Sequence, residues 1–225
     1  MTVTPPFVDS ARYLCPMKAQ YLEIHPKNPE LPKIERVVHC LREGGVIIYP
    51  TDTVYALGCD LYHPKAIEKL RRIKDIKPNK MNLSFICYDL SDISLYARAI
   101  STPVFRVMKK ALPGPFTFIL ESSNNVPKIF GNKKNEVGIR VPDHQVPRFI
   151  VKTLGNPIIT ASLKDEDPTI EYMTDPSLIY DKFANIVDMV VDSGYGGIMP
   201  STVINAIDDA LEVIREGAGN IEPYL

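Results

Sequence analysis

Apolar positions along this chain fall into two periods. Ile34, Val37, Val38 and Leu41 recur at i, i+3, i+4 and i+7, the stripe of an amphipathic helix, with Pro32 near its first turn and Gly44-Gly45 as its stop. The same spacing places Ile67, Leu70 and Ile73 on one face of a helix that starts at Pro64. It recurs at Val146, Phe149, Ile150 and Leu154, in a helix capped by Asp143 and closed by Gly155. Shorter helices are expected from a Ser91 cap through Ala99, over 104–112 behind a Thr102 cap and Pro103, and after Asp175-Pro176. Between them lie short apolar or alternating runs that read as strands: 21–25, 46–49, 54–57, 83–88, 116–120, 137–141, 157–161 and 187–191. Runs 202–207 and 211–215 read as a hairpin around Asp208-Asp209. Strands outnumber the helices between them. The predicted architecture is therefore α/β in the broad sense (α+β), a mixed sheet with helices packed on it in one domain. Residues 1–20 are aperiodic and proline-containing, a loose extension ahead of a domain spanning 21–225.

Composition adds limits. At 45% apolar and 24% charged residues, the chain reads as an ordinary globular one with no membrane-spanning run and no secretory signal, placed in the cytoplasm. Cys15, Cys40, Cys59 and Cys87 stand far apart, as reduced thiols do, and no ligand spacing predicts a structural metal. The net charge is only −1 but it is uneven. Lys65, Lys69, Arg71, Arg72, Lys74, Lys77 and Lys80 cluster against Glu68 and Asp75, either as a solvated helix face or as an attractor of phosphates or nucleic acid, with Lys69, Arg71 and Arg72 as the RNA-facing candidates. Eight acids against Lys182 alone mark 165–192; Asp165-Glu166-Asp167 reads as a solvated loop rather than a magnesium site.

Candidate chemistry begins at GGVIIYPTDTVYALGCD, residues 44–60, where Thr51-Asp52-Thr53 sits as a polar knot between two apolar strands. Buried hydroxyls and carboxylates need partners, so the knot either satisfies its own backbone as a turn or presents its hydroxyls to a ligand. Arg140, flanked by Ile139 and Val141, needs a buried anion, either an internal acid or a ligand carboxylate or phosphate. Ser201 and Thr202 follow the Gly194-Tyr195-Gly196-Gly197 turn, either a plain turn or an anion-binding nest of backbone N–H groups. Lys74, Ser162 and Arg215 stand at strand or helix ends, where open α/β sheets place ligands. No phosphate-binding G-x-x-x-x-G-K-[ST], complete G-x-G-x-x-G or G-x-S-x-G occurs, and no residue is nominated as a covalent catalyst.

These segments, with KAIEKLRRIK, PGPFTFIL, VGIRVPDH, PIITAS, PSTVIN and IREGAG, resemble the YrdC/YciO family across about residues 34–219. The resemblance implies an open twisted mixed sheet around a deep, basic concavity. Its synthase branch condenses L-threonine, bicarbonate and ATP, with magnesium, into threonylcarbamoyl-AMP and pyrophosphate for the N6-threonylcarbamoyl modification of adenosine in transfer RNA. Members are also associated with double-stranded RNA. By this resemblance Thr51, Thr53, Arg140 and Ser201 would hold the amino-acid substrate. Lys74, Ser162, Thr202 and Arg215 would hold the nucleotide. The chain departs from the synthase pattern at K-x-R, where Ile76 stands for the arginine, and at S-x-N, where Ala161 and Leu163 stand. Those departures resemble the YciO branch. They leave two rivals to the synthase: a double-stranded RNA-, tRNA- or nucleotide-binding protein without the reaction, and a carbamoyl- or nucleotidyl-transfer enzyme of different substrate.

Overall fold

The computed structural model describes residues 18–76, 84–127, 135–163, 173–207 and 211–225. Ten strands form one mixed sheet: β1 Gln20–Glu23, β2 Ile47–Tyr49, β3 Ala56–Asp60, β4 Ser84–Ile86, β5 Phe116–Glu121, β6 Glu136–Arg140, β7 Ile158–Ser162, β8 Met189–Asp192, β9 Thr202–Asn205 and β10 Glu212–Arg215. Their spatial order is β1-β8-β2-β3-β7-β4-β6-β5-β9-β10. Parallel pairs (β1/β8, β2/β8, β4/β6, β5/β9) are mixed with antiparallel ones (β2/β3, β3/β7, β4/β7, β5/β6, β9/β10).

Six α-helices among the described residues cover this sheet unequally. Helices α2 Pro64–Ile73, α3 Leu90–Tyr96, α4 Thr102–Ala111 and α6 Pro176–Phe183 pack Ile67, Leu70, Ile93, Val104, Met108 and Ile179 into a core with residues of one sheet face, from Ile48 on β2 to Ile204 on β9. On the other face, α1 Leu31–Arg42 and α5 Gln145–Leu154 bury Ile34, Val37, Val38, Leu41, Val146, Ile150 and Leu154 against Ile47, Tyr49, Ala56, Ile86, Ile158 and Met189. That second core takes nothing from β5, β6, β9 or β10, so among the described residues no helix covers that half of the face. Side chains change character where cover ends. Along β7, same-face residues run Ile158, Thr160, Ser162; along β4, Ile86 gives way to Ser84; along β6, Arg140, Gly138 and Glu136 follow. The period-2 alternation thus delivers a polar, small-residue floor to the uncovered half.

Several expected boundaries shift. Ala19 and Gln20 are already part of the packed domain: Ala19 N–H donates to the carbonyl of Ala184 at the end of α6, and Gln20 opens β1. Asp89, not Ser91, caps α3 by accepting from the Ser91 N–H, and the helix ends at Tyr96 rather than Ala99. Ser101 stands at the N-cap of α4 where Thr102 was expected, without a side-chain cap bond. His144, not Asp143, caps α5: its Nδ1 accepts from the Val146 N–H at 3.2 Å. His63 does the same for α2 toward Ala66. Imidazole is not an expected cap, yet its neutral form carries one acceptor nitrogen, which is all the position needs. Cys40, Cys59 and Cys87 are free thiols. Asp208-Asp209, Lys77, Lys80 and Asp165-Glu166-Asp167 lie outside the described residues.

Burial lowers the His144 pKa, opposed by the negative charges of Asp52 and Asp143. A depressed folded pKa means that the unfolded chain binds the proton more tightly, so this contribution is present above the ordinary imidazole value and lost as pH falls through the folded one. Chemical denaturation should therefore show stability falling as pH drops below the ordinary imidazole value of about 6.5, with a smaller fall in His144→Asn, which keeps a side-chain acceptor at the cap but no proton to gain. Ile150→Ala, at a fully buried site under α5, should cost about 2–5 kcal/mol in the same assay.

Candidate functional site

Over the uncovered half of the sheet lies a cavity of about 480 Å³. It is lined by Lys74, Arg140, Ser162, Ser201 and Arg215 together with Ser84, Thr117, Glu136, Gly138 and Thr160. Five residues that the sequence scatters over more than half the chain thus meet in one space.

Arg140 ends β6, with its side chain buried. Its Nη2 donates to Thr53 Oγ1 at 2.8 Å, to Thr51 Oγ1 at 3.2 Å and to Asp52 Oδ1. The anion that this strand-borne guanidinium requires is therefore internal, the carboxylate of Asp52. Pairing is incomplete: Arg140 Nε and Asp52 Oδ2 are both buried without a hydrogen-bond partner, and Nη1 has none among the described residues. The knot also satisfies itself, since Thr51 Oγ1 donates to the Val54 carbonyl at 2.7 Å and accepts from the Thr53 N–H at 3.1 Å. Thr51 and Thr53 do not stand on the cavity wall. They hold the arginine that does.

The glycine turn is fixed by this knot, not shaped as a nest. Gly197 N–H donates to the Thr53 carbonyl at 2.6 Å, Gly196 N–H to the Thr174 carbonyl at 2.8 Å, and Gly194 N–H to Asp192 Oδ1 at 2.8 Å. With those donors engaged, the turn has no converging N–H groups left for an anion. Gly197 is required by contact, because a Cβ there would lie 2.3 Å from the Thr53 oxygen.

On the strand next to Arg140, Thr117 Oγ1 lies 2.9 Å from Ser201 Oγ, and Arg215 Nη2 donates to the Ser201 carbonyl at 2.7 Å. A register shift between Val213 and Arg215 bulges β10, and consecutive residues Ile214 and Arg215 both line the cavity in consequence. Thr202 is not on the lining; its Oγ1 donates to the Gly219 carbonyl at 2.6 Å and pins the 217–219 turn. Lys74 Nζ donates to the Ser162 carbonyl at 2.8 Å at the far end. There Ile76 and Ala161 contribute apolar wall, whereas Leu163 is buried in the core.

The basic face of α2 is largely occupied by its own neighbours. Lys69 pairs with Asp188 at 2.6 Å, Arg71 with Glu68 at 2.6 Å and Arg72 with Glu68 at 3.1 Å. Both arginines hold the Glu68 carboxyl down at about 2. No group of three or more His, Cys, Asp or Glu side chains that could hold a metal comes together among the described residues. No described helix is long and apolar enough to cross a membrane.

A sequence reading missed Thr117, Thr160, Ser84 and Glu136. Lone hydroxyls in apolar strands carry no local signal, and only the register of β5, β6, β4 and β7 shows that they share the open face.

A family model for Sua5/YciO/YrdC, described as "Telomere recombination", matches residues 39–217. This chain belongs to that family. It is similar to YciO, an uncharacterized protein of Escherichia coli (strain K12), at 38% identity over 209 residues, covering 92% of this chain and 100% of that protein. The crystal structure of E. coli YciO superposes with a TM-score of 0.84 at 36% identity, over 92% of this chain and 100% of the other. A threonylcarbamoyl-AMP synthase of Coxiella burnetii (strain RSA 493 / Nine Mile phase I) is 29% identical over 185 residues, 81% of this chain and 96% of the synthase. P. abyssi Sua5, crystallised with L-threonine, shares the fold with a TM-score of 0.78 at 23% identity, over 88% of this chain and 57% of that one.

Removing the Asp52 carboxylate strands a buried guanidinium. Asp52→Ala should cost about 3–5 kcal/mol in chemical denaturation, and Asp52→Ala/Arg140→Met should recover part of that loss. Gly197→Ala should lower the thermal midpoint by displacing the turn from Thr53.

Proposed function

We propose that this chain forms an acyl-adenylate from an N-carboxylated amino acid (a carbamate) and ATP, as a threonylcarbamoyl-AMP synthase does, with L-threonine, bicarbonate and ATP as substrates, water lost as the amine joins the bicarbonate carbon, and pyrophosphate released in the adenylation. The observation that carries this reading is the unfinished coordination of Arg140. It lines the cavity from a fixed position and keeps donors beyond those spent on Asp52, Thr51 and Thr53. A ligand carboxylate is the natural acceptor for such a group.

In this reading, Arg140 orients the amino-acid carboxylate. Ser201 and Thr117 offer hydroxyls beside it, and Arg215 and Lys74 offset phosphate charge along the cavity. A carbamate oxygen attacks the α-phosphorus of ATP, the bond to the bridging oxygen breaks, and pyrophosphate leaves with the electron pair. Such a displacement needs alignment and charge neutralisation rather than a protein nucleophile. Magnesium would enter with the ATP phosphates and offset part of their charge. The product would serve N6-threonylcarbamoyladenosine modification of tRNA.

The Ile76 and Ala161 wall favours a second reading, a cavity that binds a nucleotide without completing the condensation. Double-stranded RNA or tRNA as partner belongs with that reading, and the pairing of Lys69, Arg71 and Arg72 reduces the charge that this face presents.

Pyrophosphate release in the presence of L-threonine, bicarbonate, ATP and magnesium tests the proposal. Release that depends on threonine and falls at least about a hundredfold in Arg140→Ala is expected, since loss of a charge-assisted carboxylate clamp removes about 3 kcal/mol. Ile76→Arg should raise the rate by restoring a phosphate-side cation. Wild-type release equal to that of Arg140→Ala would leave the second reading, and RNA binding that weakens with salt and with charge removal at Lys69, Arg71 and Arg72 would then support the nucleic-acid version.

A further inference from the structure

Thr160 occupies a distinctive place on the cavity floor. In the sheet it pairs with Gly58 on one side and Ser84 on the other, and Ser84 pairs with Gly138. Two residues before it, Ile158 shares a row with Ile86 and Arg140. Two residues after it stands Ser162, whose carbonyl accepts from Lys74. Thr160 therefore lies midway between the Arg140 end and the Lys74 end, under the middle of anything that bridges them.

Its hydroxyl is controlled from within the core. Tyr49 is 0% exposed, and its phenol donates to Thr160 Oγ1 at 2.6 Å. Space for the ring is made by Gly58, where a Cβ would lie 2.6 Å from Tyr49 Cε1. Burial raises the phenol pKa above its ordinary value, opposed by Thr160 and by the Arg140 charge, so the tyrosine stays protonated. A threonine hydroxyl has one proton and two lone pairs. With one lone pair engaged by Tyr49, its own proton is turned away from the ring. Thr160 is only 9% exposed and lines the cavity, which makes the cavity the direction in which that proton finds an acceptor.

We infer that Tyr49 is a positioning residue: it donates to Thr160 from beneath, makes the Thr160 hydroxyl a hydrogen-bond donor into the cavity, and thereby selects a ligand that carries an acceptor oxygen midway between its two charged ends. This inference rests on the adenylate-forming reading, in which the central oxygen belongs to the carbamate carbonyl or to the α-phosphate. A ligand with an N–H or O–H at that point would meet a donor facing a donor, which leaves a buried polar group unpaired.

Two measurements test it. Neutron diffraction from a deuterated crystal of the ligand-free, full-length protein locates the deuterons directly. The expected result is a deuteron on Tyr49 Oη aimed at Thr160, with the Thr160 deuteron aimed into the cavity; a Thr160 deuteron aimed at Tyr49 overturns the inference, whatever the protein binds. Calorimetric titration with AMP and with ATP on Tyr49→Phe, Thr160→Val, Thr160→Ser and the Tyr49→Phe/Thr160→Val double variant measures the consequence. Thr160→Val should weaken binding about tenfold, Thr160→Ser little, and Tyr49→Phe several-fold in the wild-type background but not further in the Thr160→Val background. A Tyr49→Phe variant that loses thermal stability but keeps wild-type affinity, or losses that simply add in the double variant, would reduce Tyr49 to a packing residue. Wild-type protein that binds neither nucleotide defeats the adenylate-forming reading, and the deuteron positions still decide the role of Tyr49.

Discussion

A guanidinium buried at the end of a central strand sets the terms for the rest of this molecule. Arg140 cannot sit among Ile86, Ile139 and Val141 unless anionic and hydroxyl acceptors are brought to it, and Asp52, Thr51 and Thr53 are those acceptors. Bringing them there requires the chain to break at Pro50, turn through the knot and resume as β3. It requires Gly197 as well, because the turn that buttresses the knot passes within Cβ distance of the Thr53 carbonyl. Desolvating such an ion pair offsets most of its Coulombic gain, so its contribution to net stability is small while the cost of breaking it is large. A pair of this kind is better understood as a means of holding one guanidinium in one place.

The second constraint is incomplete cover. Helices α1 and α5 close half of one sheet face, and the strands that run out from under them change from Ile and Val to Thr, Ser and Gly in the same alternating positions. The cavity is therefore a consequence of where two helices stop, and its floor is the ordinary inward row of each strand carried past the edge of the core. Cations stand along its margins, with Arg140 at one end, Lys74 at the other, and Arg215 brought in by the β10 bulge.

Much of this was legible in the sequence. Periodicity located α1, α2 and α5, and the apolar runs located most strands, because burial on one side leaves a regular imprint. An arginine inside an apolar strand announced a buried counter-charge, but not which one: Asp52 and a ligand carboxylate satisfy the same requirement, and only distance separates them. For the threonines of the knot the sequence leaves a self-satisfied turn and a ligand contact both open, and in the structure their oxygens meet their own backbone and Arg140. Thr202 and the glycine turn likewise serve the backbone around the site. Caps at His63 and His144 escaped notice because an imidazole accepts only when neutral, which composition does not reveal. Thr160 and Thr117 were hidden for a different reason: a lone hydroxyl in a strand has meaning only when its neighbours across the sheet are known.

The adenylate-forming reaction requires one ligand set to span the cavity from Arg140 to Lys74. A crystal structure of the protein with L-threonine and a non-hydrolysable ATP analogue measures this directly. The amino-acid carboxylate is predicted on Arg140, the α-phosphate over Thr160, and the remaining phosphates toward Lys74 and Arg215. An amino acid bound away from Arg140, or a nucleotide held outside the cavity, would contradict it.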